Sequence, residues 1–404
     1  MIKIEDVIST RTGGDYQRDN FDAFLKKVSF SFNLPSIHIA GTNGKGSTLL
    51  FLSAIYQKAG YKVGCFTSPN LNEINEMISI NGNNISDDDI KTIIKDYEIY
   101  ILKFDLSSFE IMAFIAFTYF KKMACDVCII ECGMGGEVDA TNIFVPSLSI
   151  ITSISLEHTD FLGKTISEIA YQKGGIIKQD VPLLIGDFNV DAEAVLSSIA
   201  KENDSHITKI SLPNNVRVGN DGIRFDYQTY TDIHIPTEAE YEINNAIYAI
   251  EASQILKEKL PLNDVDFSTV FNGTKLSCRF EILSKNPVTI IDGGHNPEAI
   301  DNLIKSLAKT PYFRDIHVIF ACFRDKNFLE MLNRLGSISR DVHLTTFDHP
   351  RARKQDEYFL FADEYQFDED PVALYQSMKE QYPEDTILIT GSLAFAAFMK
   401  RNIK

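Results

Sequence analysis

The sequence predicts an α/β protein made of two doubly wound sheet domains. The first is a P-loop-type domain with a small antiparallel β patch, and the second is a smaller, Rossmann-like domain. Three observations carry this. Short apolar runs alternate with helical patterns between residues 37 and 177, and again between 288 and 390. A glycine-rich string directly follows the first of those runs. Between the two series, residues 183–236 break into β-rich pieces among Asn and Gly turns. At 404 residues the chain also exceeds what a single core usually serves.

Taken in order, Phe21, Phe24, Leu25 and Val28 recur at helical spacing and predict a helix within residues 15–32. Residues 37–40 form the first strand, and a helical pattern over 49–58 leaves the glycine string. A second strand, 61–66, ends at Thr67-Ser68-Pro69, and 78–82 is a strand closing on a turn. Residues 87–102 and 108–122 are helical, the second apolar enough to be buried. The strand 127–131 ends in Gly133-Met134-Gly135-Gly136; 149–153 is another strand and 166–177 a helix. The pieces 216–218, 223–227 and 233–235 make the antiparallel patch, and 242–258 returns to helix. The pattern breaks over 271–279, so the expected domains are 1–280 and 281–404. Strands at 288–292, 316–321, 342–346 and 386–390 then repeat the α/β rhythm. No internal repeat is found.

Composition narrows the function. A formal charge of −17 argues against nucleic acid as a partner, although an anionic small substrate needs only a local basic pocket. The start, Met1-Ile2-Lys3-Ile4-Glu5-Asp6, has no apolar core behind its charge, and no apolar run reaches the length of a membrane span. The chain reads as cytoplasmic, without a membrane partner. Cys125, Cys128 and Cys132 have a metal-like spacing, but they lie in and beside a buried strand whose side chains alternate in direction. No fourth ligand is near, so core packing is the expected role. Disulfides are not expected in such a compartment.

The chemistry starts at His38-Ile39-Ala40-Gly41-Thr42-Asn43-Gly44-Lys45-Gly46-Ser47-Thr48. Glycines let successive N–H groups point at an anion, the helix behind them adds its positive end, and Lys45 adds a full charge. Gly46 stands where the general pattern has Ser or Thr, so this string alone is compatible with a phosphate cradle or a plain glycine turn. Ser47, Ser68, Glu131 and His158 all fall at strand ends on the same side. Oxygen ligands beside phosphates are what Mg²⁺ takes. Each of these residues is ordinary by itself, and their joint placement beside the cradle is what points to a metal–phosphate site.

The string Gly41-Thr42-Asn43-Gly44-Lys45-Gly46-Ser47-Thr48 resembles that of folylpolyglutamate and dihydrofolate synthases, members of the Mur ligase family. The resemblance extends to Thr67-Ser68-Pro69, Asn75-Glu76, Ile80-Asn81-Gly82 and Phe109-Glu110. It continues through Glu131-Cys132-Gly133-Met134-Gly135-Gly136 with Asp139-Ala140-Thr141-Asn142, Leu156 to Gly163, and Ala170 to Lys178. Later it covers Asn245-Ala246, Arg279-Phe280-Glu281, Asp292-Gly293-Gly294-His295-Asn296-Pro297 and Gly391-Ser392-Leu393. It spans about residues 10 to 400.

This resemblance implies an ATP-dependent ligase. It moves the γ-phosphoryl group of ATP onto a carboxylate, and an amino group, expected to be that of L-glutamate, then attacks the acyl phosphate. Lys45, Glu131, His158 and Lys173 would be catalytic. ATP would lie on Thr42, Asn43, Gly44, Lys45, Gly46, Ser47 and Thr48, with Asn245, Arg279, Asp292 and His295. Ser47, Ser68, Glu131, His158 and Lys173 would hold Mg²⁺ and a second cation, the latter at a carbamylated Lys173; from the residues alone Lys173 reads equally as a surface helix lysine. The acid would be a folate or dihydropteroate, and relatives are mostly monomers.

Three departures fall on the acid side: Asn70 where the family has His, Met77 where it has Arg, and Glu137 where it has Arg. They keep open a Mur-type ligase acting on a different carboxylate. A non-catalytic nucleotide-binding protein is the other class, disfavoured by the intact Lys45, Glu131, His158 and Lys173.

Overall fold

The computed structural model describes residues 18–219, 221–359 and 365–403. The helical pattern at 15–17, the resemblance over 10–17 and the reading of residues 1–6 lie outside them. The chain forms two compact α/β units. One takes in the described residues up to Leu212 together with Asn244–Phe271, and the other Pro213–Ile243 with Asn272 onward.

The first unit is an eight-stranded sheet. Its strands are β1 (Ser36–Ala40), β2 (Val63–Phe66), β3 (Ile78–Ile80), β4 (Asn83–Asn84), β5 (Val127–Glu131), β6 (Leu148–Ile151), β7 (Leu183–Ile185) and β8 (Ile207–Lys209). The order is β4-β3-β2-β5-β1-β6-β7-β8, parallel from β2 to β8, with β3 and β4 antiparallel at the edge. β1, β5 and β6 are buried throughout. That is why they read as continuous apolar runs rather than alternating ones. Ile39 of β1 stands opposite Glu131 on one side and Ile150 on the other. The sequence turns outward in both directions from β1, which is where doubly wound sheets open a crevice.

The β-rich stretch 183–236 divides between two sheets. Residues 183–185 and 207–209 extend the parallel sheet, with a helix Val190–Glu202 between them. Asn189 caps that helix through Ala192 N, with Asp191 and Glu193 in its first turn. Three-residue strands carry too little pattern to stand out against the neighbouring turn residues. The antiparallel patch is β9 (Asn214–Gly219), β10 (Gly222–Tyr227) and β11 (Tyr230–Ile235), and it belongs to the second compact unit.

The second unit's main sheet has β12 (Glu281–Lys285), β13 (Val288–Ile291), β14 (Ile316–Phe320), β15 (Asp341–Thr345), β16 (Gln366–Asp368) and β17 (Thr386–Thr390). The order is β12-β13-β17-β14-β15-β16; only β12 is antiparallel to its neighbour. A chain of side chains staples the strand-start edge. His317 lies between Asp341 (2.5 Å) and Asp385 (3.0 Å), and His343 between Asp341 (3.0 Å) and Asp368 (2.9 Å). Among the described residues, no helix is long and apolar enough to cross a membrane.

One core anchors the helix Ser108–Lys122 against the sheet. Phe114 is fully buried, with ring contacts to Phe24 (4.8 Å), Phe30 (5.2 Å) and Tyr97 (4.8 Å). Phe114→Ala leaves those rings facing a void and lowers stability by about 3–5 kcal/mol. Urea unfolding checks this, and a midpoint unchanged from wild type refutes it.

Candidate active site

The glycine string links the end of β1 to the helix Lys45–Lys58. Gly44 is the helix N-cap in the left-handed conformation (φ 87°), and a Cβ there would collide with Oδ1 of Asn245. A Cβ on Gly41 would collide with the Thr152 hydroxyl. The loop is pinned from β6 outward: Thr42 N donates to Ser153 O (2.9 Å), Asn43 N to Ser153 Oγ (2.7 Å) and Thr152 Oγ1 to Asn43 O (2.6 Å). Thr42 Oγ1 accepts from Ser155 N (3.1 Å), so its hydroxyl shapes the loop from beneath.

The helix start suits an anion. No side chain caps it, its first turn has no acidic residue, and Lys45 Nζ reaches only the loop carbonyls of Gly41 (2.9 Å) and Thr42 (3.3 Å). Most other helices here are capped by their own Ser, Thr, Asn or Asp side chain. Uncapped amides, a glycine cradle and a lysine fit a polyphosphate. Ser47 and Thr48 are buried, Thr48 with no hydrogen-bond partner for its hydroxyl among the described residues; Asn43, Gly44 and Gly46 stay partly open. Asn245, on the helix Glu242–Ile255, lies against Gly44 of the cradle.

Glu131 ends β5, is buried, and accepts a hydrogen bond from Ser68 N (3.3 Å). Glu76 receives Leu71 N (2.9 Å), Asn72 N (3.0 Å) and Asn72 Nδ2 (2.9 Å), which fixes the loop that presents Ser68. His158 sits at the start of the short helix Thr159–Leu162 with φ 50°, and its Nε2 lies 3.5 Å from the buried Glu157. Among the described residues, no three His, Cys, Asp or Glu side chains converge on one point. A cation held by Glu131, His158 and the serine hydroxyls therefore needs phosphate oxygens to complete its shell, which is how Mg²⁺ usually binds.

Lys173 is not a surface lysine. It lies in the last turn of the helix Ile166–Gly174 at 2% exposure. Burial, and then the charge of Lys45, push its ammonium down to about 7, against the pull of Glu157, Cys132 and Asp139. The cradle lysine, Lys173 and Glu157 thus share one electrostatic neighbourhood. Glu157 was not singled out from sequence, where its place beside His158 was the only signal. A folded state that binds its lysine proton less tightly than the unfolded chain gains stability as pH rises. The window here runs from about 7 to about 10.4. Lys173→Met should therefore stabilise the protein below about pH 6, by something on the order of 4 kcal/mol. The gain should fade towards about pH 10. Thermal melts in CO₂-free buffer at the two pH values check it; equal gains at both refute it.

The loop after β5 is shaped by Asp139. This buried carboxyl accepts Met134 N (2.8 Å), Thr141 N (2.9 Å) and the Thr141 hydroxyl (2.5 Å), and burial pushes it up. Of the departures from the family pattern, Met77 is buried in the core, Asn70 is half-buried and Glu137 is exposed. Glu137 N donates to Gln172 O (2.8 Å), and its carboxylate lies in the field of Lys178.

In the second unit, Asp292 follows β13 and accepts Gly294 N (2.7 Å) on one oxygen and Tyr241 Oη (2.6 Å) and Phe280 N (2.9 Å) on the other. Burial pushes its carboxyl up, opposed by these hydrogen bonds and by Arg279. Asp292 therefore ties down the turn carrying His295, whose Nδ1 is 3.0 Å from Gly293 O. Tyr241, missed from sequence, is that turn's anchor. Arg279 Nη1 donates to Ser277 O (3.2 Å). Asn296 caps the helix Pro297–Leu307 through Ala299 N.

Comparison with known proteins agrees with this arrangement. Residues 39–253 match the Mur ligase middle domain, and residues 278–393 the Mur ligase, glutamate ligase domain. The chain is 32% identical over 393 residues to a dihydrofolate synthase/folylpolyglutamate synthase of Bacillus subtilis, covering 91% of this chain and 90% of that one. It is 30% identical over 385 residues to a folylpolyglutamate synthase of Lacticaseibacillus casei, covering 91% and 89%. A Mycobacterium tuberculosis folylpolyglutamate synthase complexed with ADP and AMPPCP superposes with a TM-score of 0.89 at 26% identity, covering 95% of each chain. The glycine loop behind β1 and these likenesses together place the chain in the Mur ligase family, on its folylpolyglutamate and dihydrofolate synthase branch.

Proposed function

We propose that this chain is an ATP-dependent ligase that joins L-glutamate to the carboxylate of a folate or dihydropteroate through an acyl phosphate. The carrying observation is the uncapped helix start at Lys45 with the buried Lys173 and Glu157 in its electrostatic field. Lys45 and the loop amides hold the β- and γ-phosphates of ATP and offset the charge that builds up as the γ-phosphoryl group moves. Asn245 supports the nucleotide side of the cradle. Glu131, His158, Ser47 and Ser68 hold Mg²⁺, which supplies further charge neutralisation at the phosphates. Lys173, with a free amine accessible near neutral pH, is suited to carbamylation, and the resulting anion holds a second cation.

Residues 1–280 supply the nucleotide side and 281–404 the glutamate side, with His295 and Asp292 placing the amine and Arg279 contacting phosphate. The protein works as a cytoplasmic monomer on small molecules, not nucleic acid or membrane. The exposed Glu137 and the half-buried Asn70, where relatives have Arg and His, favour as a second reading a Mur-type ligase for a different carboxylate.

ADP release with ATP, Mg²⁺ and L-glutamate separates these readings. Release dependent on dihydropteroate identifies dihydrofolate synthesis, and release dependent on tetrahydrofolate identifies tail extension. Stimulation by neither removes the folate assignment.

A further inference from the structure

β1 is apolar apart from Ser36 and one histidine, and that histidine calls for a reason. His38 is fully buried between Ile37 and Ile39, three residues before the cradle. A polar ring there costs stability that valine or isoleucine would not. Its Nε2 lies 2.9 Å from Thr141 Oγ1 and 3.1 Å from Cys132 Sγ, and its face packs on Phe144 at 4.9 Å.

The protons on this chain of groups can be assigned. A threonine hydroxyl has one hydrogen, and of the two acceptors in reach of Thr141, the Asp139 carboxylate at 2.5 Å and Cys132 Sγ at 3.7 Å, the nearer and charged one takes it. Thr141 must therefore accept from His38, so the hydrogen of the ring sits on Nε2. The other nitrogen, Nδ1, is then a bare lone pair, and among the described residues it has no hydrogen-bond partner. The ring is neutral, as its surroundings require: burial, and then the charge of Lys178, push it down to about 3.

The relay continues toward the site. Asp139 holds Met134 N and Thr141 N and so sets the Gly133–Gly136 loop. A Cβ on Gly136 would lie 2.8 Å from the Gln172 carbonyl and 2.9 Å from that of Lys173, so this loop rests directly on the backbone of Lys173.

We propose that His38 is a positioning residue: as a neutral, single-tautomer donor it orients Thr141, which orients Asp139, which fixes the glycine loop against Lys173. This rests on the ligase reading for its kinetic consequence, but the contact chain stands without it.

The test uses side chains that differ in where they place a donor. His38→Leu fills the space without a donor and lowers kcat by about tenfold to a hundredfold, with KM for ATP little changed. Thr141→Val does the same, and the double variant is no worse than the poorer single, because both break one relay. The amide of Gln carries its N–H near the position of Nε2, so His38→Gln recovers most of kcat, whereas the shorter His38→Asn does not.

Unimpaired His38→Leu, strictly additive effects in the double variant, or equal impairment of the Gln and Asn variants overturns the proposal. If His38→Leu does not fold, Thr141→Val and the Gln/Asn pair still decide it. If the wild type turns over no acid at all, the ligase reading fails instead. Hydrogen exchange at the Met134 and Thr141 amides then carries the test: faster in Thr141→Val and in His38→Asn, near wild type in His38→Gln. Unchanged exchange throughout overturns it.

Discussion

Lys45→Ala is expected to remove turnover, by about a thousandfold or more, while leaving the protein folded. Lys45 is only partly buried, and its ammonium donates to two carbonyls of its own loop rather than to a carboxylate. No buried charge is orphaned by the change, and alanine is the best helix former for the first turn it would occupy. Stability should therefore move little. What disappears is the one full positive charge that the cradle directs at the phosphates, in a place where the helix end supplies only partial charge. ADP release and a thermal melt on the same preparation check both halves. A wild-type-like rate would remove the cradle from the mechanism.

Lys173→Ala is the second large effect, and it should differ in kind. The variant loses activity and also sheds the burden of a buried amine, so it should be inactive and yet at least as stable as the parent near neutral pH. If the working species is a carbamate, the pocket left behind is shaped for a small carboxylate. Added formate or acetate should then restore part of the rate in Lys173→Ala but none in Lys45→Ala. Failure of short acids to restore any activity, with the fold intact, would argue that Lys173 acts as an amine.

Much of this was legible in the sequence, for identifiable reasons. The β1 string was readable because glycines at forced backbone positions and a lysine at a helix start have a local cause. Asn245 was reachable only through the resemblance; nothing in its own neighbourhood shows that it will meet Gly44, since two hundred residues intervene. Lys173 could not be told from a surface lysine, because its burial comes from tertiary packing that the helical pattern of 166–177 does not record. Tyr241 and Glu157 were missed for the same reason: each matters through a single partner distant in sequence or a burial that no pattern records. The short strands β7, β8 and β16 carried three residues each and were lost among turn signals. His38 looked like part of the cradle's approach, and its relay emerged only once Thr141 was placed beneath it.

The strand order of the second unit has a consequence for how the chain is made. β17, which follows the other five strands of its sheet in sequence, lies between β13 and β14, in the interior of that sheet. Until residues 386–390 emerge, the earlier strands have a gap where their shared neighbour belongs, and β13 and β14 have no native route to one another. A nascent or prematurely terminated chain would carry two exposed half-sheets with unpaired edges, the kind of surface that recruits other strands. Loss of residues 386–390 would therefore act as a break through the middle of the sheet.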